Sequence, residues 1–492
     1  MSFADWIIRI FREVGPRFGP LVVVLILFAY GIYRWKKFRR IQKVVRNRLL
    51  SVIVVAGTIA IIWASIHAYR YGLPEHFRPG EIGILVAPIP GDERHAQQNT
   101  YIGAINALVS NDATLRDVVK VKPFSRELPD DPEQQHEEAL RLGRRLGASF
   151  VIRPVQEEGG QRPWLTIVDQ PEFAREEVAL GRVTKAQLAE LDKIPLPQDV
   201  ALLARCALAL SFYRRENYQL AATHFTQILT VANLHEAAPA RPYLNFLLGS
   251  SYWYQRPADP ASFLPLAIAA YEEALRGWPR EPYPTDWAMT MNNRGAAYQE
   301  LPGPDRGANL REAIRSHDLA LEVYTRERYP NQWAMTMNNR GAAYQELPGP
   351  DRGANLKEAI RSYDQALEVR TRKRYPTEWA ATMNNRGAAY WELPGPDRAA
   401  NLREAIRSYD LALEVRTRER YPTDWAMTMN NRGAAYGGVP GPDRGANLRE
   451  AIGCYEQAIV VWEQHGFTHY SALAQANLEE ARQSLAELPG PK

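Results

Sequence analysis

The strongest constraint on this chain is a sentence written four times. The string WAMTMNNRGAAYQELPGPDRGANL begins at Trp287 and returns, nearly unchanged, at Trp333, Trp379 and Trp425. Chemistry needs one constellation and gains nothing from near-copies beside it, whereas a surface that tracks a long partner gains with each copy. Within a copy, Trp287, Met291, Gly295 and Tyr298 share one face at helical spacing. Thr285 or Asp286 is placed to cap this helix, and the run ELPGPDRGA to stop it. Asn309, with Glu312 three residues on, reads as the cap of a second helix. Its apolar face is Leu310, Ala313, Ile314, His317, Ala320 and Leu321, and Pro330 ends it. Such a hairpin buries only one face against its neighbour, so the units must stack.

The small and aromatic positions Gly295, Tyr298, Ala313, His317 and Ala320 recur as Gly341, Tyr344, Ala359, Tyr363 and Ala366, and twice more before residue 460. Two diverged units precede them, carried by Leu208, Phe212, Ala221 and Phe225 and by Gly249, Tyr252, Ala267, Tyr271 and Ala274. The pattern resembles the tetratricopeptide repeat. The string NNRGAAY and the long second helix AIRSYDQALEVRTR resemble its kinesin-light-chain-like type. The resemblance implies a mostly α fold, a superhelical solenoid of six repeats over residues 200–466. A capping helix over 467–487, polar on its outer face, is expected to follow. It also implies a groove that binds a protein or an extended peptide.

Asn292 and Asn293, repeated as Asn338/Asn339, Asn384/Asn385 and Asn430/Asn431, are turned by helical geometry away from the Met291, Gly295, Tyr298 stripe toward the inner surface. An amide offers donors and acceptors, so a ladder of them can hold a peptide backbone with little demand on its side chains. In kinesin-light-chain-type arrays the resembling asparagines line the cargo groove. The alternative is that one Asn of each pair bonds the next helix. Arg294, Arg340, Arg386 and Arg432 stand where the resembling repeats have Leu. They form either a ladder gripping carboxylates or phosphates of a ligand, or structural ties to helix carboxylates such as Asp318 or Glu322. The four tryptophans in register read as inter-repeat packing rather than a ligand cage.

The other half of the chain is organised differently. The apolar runs at residues 18–34 and 49–69 read as a transmembrane hairpin, preceded by an interfacial amphipathic helix over 1–17. The first 48 residues carry Lys and Arg against only Asp5 and Glu13, although the whole chain has a net charge of +4. A basic patch on a mildly acidic body favours anionic lipid over nucleic acid. The basic loop between the spans reads as cytoplasmic, which puts the bulk of the chain on the outer face of the cell membrane; a first run that only dips into the membrane would put it on the cytoplasmic face instead. Residues 80–170 alternate strand and helix patterns in the order βαβαββ. IGILVAPI and LGRRLGASFVIRPV resemble the TolB-like amino-terminal domain, which implies a non-catalytic docking or regulatory module. Residues 171–199, with Pro195 and Pro197, read as a linker.

No phosphate loop, G-x-S-x-G or cysteine with a nearby base occurs, and His465 and His469 flank a glycine that spoils metal spacing. No cofactor or metal is expected. The reading is a membrane-anchored adaptor or receptor, not an enzyme. The alternatives are a membrane effector or sensor of a signalling or defence system, whose hairpin would form a homo-oligomer, and an enzyme with its site in the α/β domain.

Overall fold

The computed structural model describes residues 77–78, 81–88, 96–113, 115–124, 128–129, 131–157, 160–168, 200–230 and 241–488. The expected interfacial helix, both spans and the linker lie outside the described residues. Among the described residues no helix is long and apolar enough to cross a membrane. The chain divides into two compact units.

The first unit holds a four-stranded sheet. Its elements are β1 (Ile82–Val86), α1 (Ala96–Asn111), β2 (Val119–Pro123), α2 (Pro132–Leu146), β3 (Phe150–Glu157) and β4 (Gly160–Ile167). The sheet order is β2-β1-β3-β4, with β1 parallel to both neighbours and β4 antiparallel to β3. Strand β1 is buried along its whole length, as a central parallel strand must be, which is why IGILV is an unbroken apolar run. Asp131 caps α2 by accepting from the Gln134 N–H at 2.9 Å, Pro132 takes the first helical position, and Gly147 ends the helix at φ 74°. Ala139, Leu142 and Leu146 of α2 join Leu85, Phe124, Val151 and Val168 in one core. The Gln98 amide of α1 donates to the Val86 and Phe124 carbonyls at 2.8 and 2.9 Å, satisfying the backbone where β1 and β2 end.

The second unit is a helical array. It takes in the end of α3 (Val200–Arg214), from Phe212 on, and then α4 (Tyr218–Thr230), α5 (Arg241–Gln255), α6 (Pro260–Gly277), α7 (Pro284–Glu300), α8 (Arg306–Leu321), α9 (Pro330–Glu346) and α10 (Arg352–Val369). Next are α11 (Pro376–Glu392), α12 (Arg398–Leu413), α13 (Pro422–Gly438), α14 (Arg444–Gln464) and α15 (Thr468–Ala486). From α4 onward each helix packs against the next, so this part of the chain is a solenoid of helix pairs.

Helix boundaries differ from those read in the sequence. Proline at 284, 330, 376 and 422 occupies the first turn of a helix, where its missing N–H costs nothing, so Thr285 and Asp286 lie inside α7 instead of capping it. Pro330 thus begins α9, while α8 has already stopped at Leu321. The second helices start at Arg306 and its equivalents, so Asn309 is interior. The equivalent Asn355 instead reaches the Leu347 carbonyl at 3.5 Å. The PGPD loop turns early because Gly303, Gly349, Gly395 and Gly441 adopt φ of 129°, 130°, 127° and 115°, a region closed to side chains with a Cβ.

Each hairpin closes on one contact. The Tyr363 ring packs against Gly341, where a Cβ would come within 2.7 Å of it, and Tyr409 on Gly387 and Tyr455 on Gly433 repeat the contact at 2.7 and 2.8 Å. Fully burying such a ring contributes about 1.5–3 kcal/mol. Trp333 and Trp379 are buried among Ala288, Ala320, Ala334, Ala366, Ala380 and Ala412 between hairpins, and Trp287 and Trp425 pack against the same kind of cluster. Helix α15 covers the last hairpin with Ala474, Leu478 and Ala481. Its outer face is less polar than expected: Tyr470 and Leu473 are 49% and 52% exposed. Tyr470 is held there by stacking on Trp462 at 5.7 Å.

Candidate functional site

The first helices of successive hairpins, α7, α9, α11 and α13, bring the asparagine pairs into one row. Asn339 Nδ2 donates to Asn292 Oδ1 at 3.3 Å, Asn385 to Asn338 at 3.4 Å and Asn431 to Asn384 at 3.4 Å. The register is one period plus one residue, so the second Asn of each copy reaches back to the first Asn of the copy before. The row continues where the sequence reading did not look: Asn477 of α15 donates to Asn430 at 3.3 Å. The signal was present, since Asn477 follows Asn431 by the same period.

The side chains are therefore not simply turned away from packing. Asn292 and Asn293 are 1% and 6% exposed, Asn339 and Asn384 are both buried at 7%, and Asn338, Asn385, Asn430 and Asn431 are half-buried. Each inter-repeat bond uses the carbonyl of a first Asn and the NH₂ of a second. It leaves one donor group and one acceptor per repeat for another partner. At the open end of the row the Nδ2 atoms of Asn292 and Asn293 are buried with no hydrogen-bond partner. For Asn293 the reason is that the preceding hairpin has Phe246 where the accepting first Asn would stand, while the Nδ2 of Asn292, like that of every first Asn, is not used between repeats.

The arginine series is fully engaged. Arg340 Nε donates to Asp318 at 2.6 Å, Arg386 to Asp364 at 2.7 Å and Arg432 to Asp410 at 2.7 Å, while Arg294 meets Glu272 at 3.1 Å. Each carboxylate belongs to the second helix of the preceding hairpin. Asp318 thus ties the next repeat's Arg340, not its own Arg294, and Glu322 pairs with Arg280. The same guanidiniums donate to Ser316, Ser362 and Ser408 at 2.8, 2.8 and 2.7 Å, and to Cys454 Sγ at 3.1 Å in the last copy. They also lie over Tyr298, Tyr344, Tyr390 and Tyr436 at 4.7 to 4.8 Å. Burial raises these tyrosine pKa values, so the hydroxyls stay neutral beside the charge. Three helices thus meet on one planar cation, a use to which guanidinium is better suited than an aliphatic residue.

Two further rows of ion pairs were not read from the sequence. Arg280, Arg326 and Arg372 bind Glu322, Glu368 and Glu414 of the following hairpin. Arg306 and Arg352 bind Glu346 and Glu392. Among the described residues no group of His, Cys, Asp and Glu could hold a metal ion. Burial drives the Cys206 thiol up to about 12, which leaves it unreactive.

No family model matches the chain, so the TolB-like likeness rests on its short motifs alone. No curated protein matches it either. Among solved structures, the apo form of RapI is similar at 12% identity and a TM-score of 0.40, covering 58% of this chain and 99% of that one. BtubC (BKLC) from P. vanneervenii is similar at 19% identity and a TM-score of 0.34, over 60% and 96% of the two chains. The TPR2AB domain of yeast Sti1, in its complex with pHSP90, is similar at 14% identity and a TM-score of 0.20, over 57% and 98%. The solenoid itself stands on the packing of its own helix pairs.

Proposed function

We propose that this protein is an adaptor that takes up an extended segment of a protein partner along the asparagine row. A hairpin over residues 18–69 would anchor it to an anionic membrane, with the basic loop on the cytoplasmic side. One observation carries the binding reading: the inter-repeat bonds use half of each amide and leave the other half in register. The NH₂ groups of Asn338, Asn384 and Asn430 and the carbonyls of Asn339, Asn385 and Asn431 recur once per repeat, a donor and an acceptor for a peptide's carbonyl and N–H. The membrane part is supported by the uncharged apolar runs and the basic segment between them.

The test uses Asn→Asp at 338 and 430. A carboxylate still accepts from Asn385 and Asn477, so the array stays tied, but the free donor becomes an acceptor. Full-length chain carrying both changes is expected to capture less of its partner from a membrane extract than wild type does, with the thermal midpoint nearly unchanged. Equal capture by both proteins would remove the asparagine row from recognition. For the anchor, flotation of the full chain on vesicles with and without anionic lipid is the direct measurement. A chain that fails to float on either is not membrane-held.

A further inference from the structure

The row of Arg306 and Arg352 ion pairs ends after Arg352: Arg398 and Arg444 both keep the pose on backbone carbonyls without a carboxylate, Gly438 and Ser484 standing at the matching positions, and at Arg398 the change opens a site. In the earlier copies, Arg306 and Arg352 are each held by a donor bond from Nη1 to a backbone carbonyl, Gln299 and Gln345 respectively. Nη2 then reaches the carboxylate of Glu346 or Glu392, whose other oxygen accepts from the Gln299 or Gln345 amide at 2.8 or 2.7 Å. In the next copy Arg398 keeps the same pose, with Nη1 on the Trp391 carbonyl and, at 3.4 Å, on the Leu393 carbonyl. Its carboxylate is gone, because Gly438 stands where Glu392 stood, and the glutamine has become Trp391. Partial burial lowers the pKa of this guanidinium, and no carboxylate offsets that cost. Trp391, whose backbone carbonyl accepts from Arg398, is 38% exposed, and Arg444 in the last copy has Gly437 in its place.

The other edge of the same hairpins shows what unremarked drift looks like. There Val460 replaces the glutamate expected for Arg418, fills the place with a side chain, and leaves Arg418 over Trp425 at 5.8 Å. At Arg398 no side chain reaches for the cation instead: Gly437 and Gly438 carry none, a Cβ on Gly437 would meet Ala451 at 3.8 Å, and one on Gly438 would press on Leu402 Cδ1 at 3.3 Å.

We propose that Arg398, Trp391 and Gly438 form a receptor for an acidic side chain of a protein partner followed by an apolar one. The partner's carboxylate would take the position of Glu392's on Arg398 Nη2, and its apolar neighbour would cover the Trp391 ring. The carboxylate identity follows from the two copies in which a carboxylate is seen on the same atom. The site lies at the ends of α11 and α13, two turns beyond the asparagines, and does not depend on the reading of that row.

The test is fluorescence anisotropy of the full-length chain with a labelled glycine-serine peptide carrying a central Glu-Phe pair, and with its Gln-Phe and Glu-Gly counterparts. Wild type is expected to prefer Glu-Phe over either by at least about tenfold, the scale of a charge-assisted pair. Trp391→Gln with Gly438→Glu rebuilds the closed arrangement of the preceding copies. This double variant is expected to keep or raise the thermal midpoint and to lose the preference, as Arg398→Gln also should. Asn338→Asp is expected to retain it, which separates this site from the asparagine row. No Glu-dependent binding by wild type up to about 1 mM peptide, or a preference that survives in the double variant, would overturn the proposal.

Discussion

His317 shows how much a single position weighs in a repeated array. It stands where later copies have Tyr363, Tyr409 and Tyr455, and it is completely buried with both ring nitrogens unpartnered. Burial, with a smaller contribution from Arg340, holds its pKa down to about 3. The unfolded chain takes up a proton below about 6.5 while the folded chain does not. The associated stability is therefore complete above that pH and is lost as pH falls from there toward 3, by about 1.4 kcal/mol per unit. In the next repeat the Tyr363 hydroxyl donates to Gln345 Oε1 at 2.9 Å, and Gln299 is the matching acceptor for position 317. His317→Tyr is therefore expected to stabilise the protein by about 1–2 kcal/mol at neutral pH. The gap between variant and wild type should widen on acidification to pH 5, as followed by urea unfolding. A constant gap would mean that His317 is not the buried neutral group described.

At the scale of the element, glycine has two meanings in the same string. Gly387 lies under the Tyr409 ring, where a Cβ would be 2.7 Å from its nearest carbon, whereas at Gly353 the nearest atom is Pro394 Cγ at 3.7 Å. Gly387→Ala is expected to cost about 1–3 kcal/mol by forcing helices α11 and α12 apart. Gly353→Ala should stabilise α10 by about 0.5–1 kcal/mol through helix propensity. The third copy already carries Ala399 at the position equivalent to Gly353. Thermal unfolding of the two variants decides the contrast, and equal effects would refute the packing argument. The arginine ties also belong to this scale. Arg340→Ala leaves Asp318 half-exposed and able to hydrate, so the loss should be about 1 kcal/mol or less from the ion pair itself. The lost contacts to Ser362 and Tyr344 add to it. Asn477→Ala should raise amide hydrogen exchange in α15 before it affects α7, since it removes the last asparagine bond.

At the scale of the molecule, the array behaves as a one-dimensional stack in which each hairpin contacts its neighbours. Deleting residues 333–378 joins Gln332 to Trp379 in phase. Asn385 would then find Asn292, and Arg386 would find Asp318, through bonds of the kind already present. Such a chain is expected to stay folded with a lower unfolding midpoint. A deletion of half that length puts every tie out of phase and should abolish cooperative unfolding. Circular dichroism melts of the two deletions are the measurement, and equal behaviour would show that the ties do not set the register.

How much of this was legible beforehand depends on how far each interaction reaches along the chain. The alternation of strands and helices before residue 170, the glycine and aromatic positions of each hairpin, and their stacking all follow from local pattern, because periods of 2 and 3.6 report which face is buried. The asparagines and arginines were visible as repeated residues, but not their partners. A bond between Asn339 and Asn292, or between Arg340 and Asp318, joins helices that the sequence separates by a whole loop. Whether an amide turns to a ligand or to the next repeat is settled by how closely neighbouring helices approach. The same holds for the helix start at Arg306, where loop geometry outweighed the capping signal at Asn309. The open guanidinium at Arg398 needed both kinds of information. The repeat shows that Gly438 departs from its equivalents, and only the folded array shows that Glu346 and Glu392 at those equivalents are the carboxylates that hold Arg306 and Arg352.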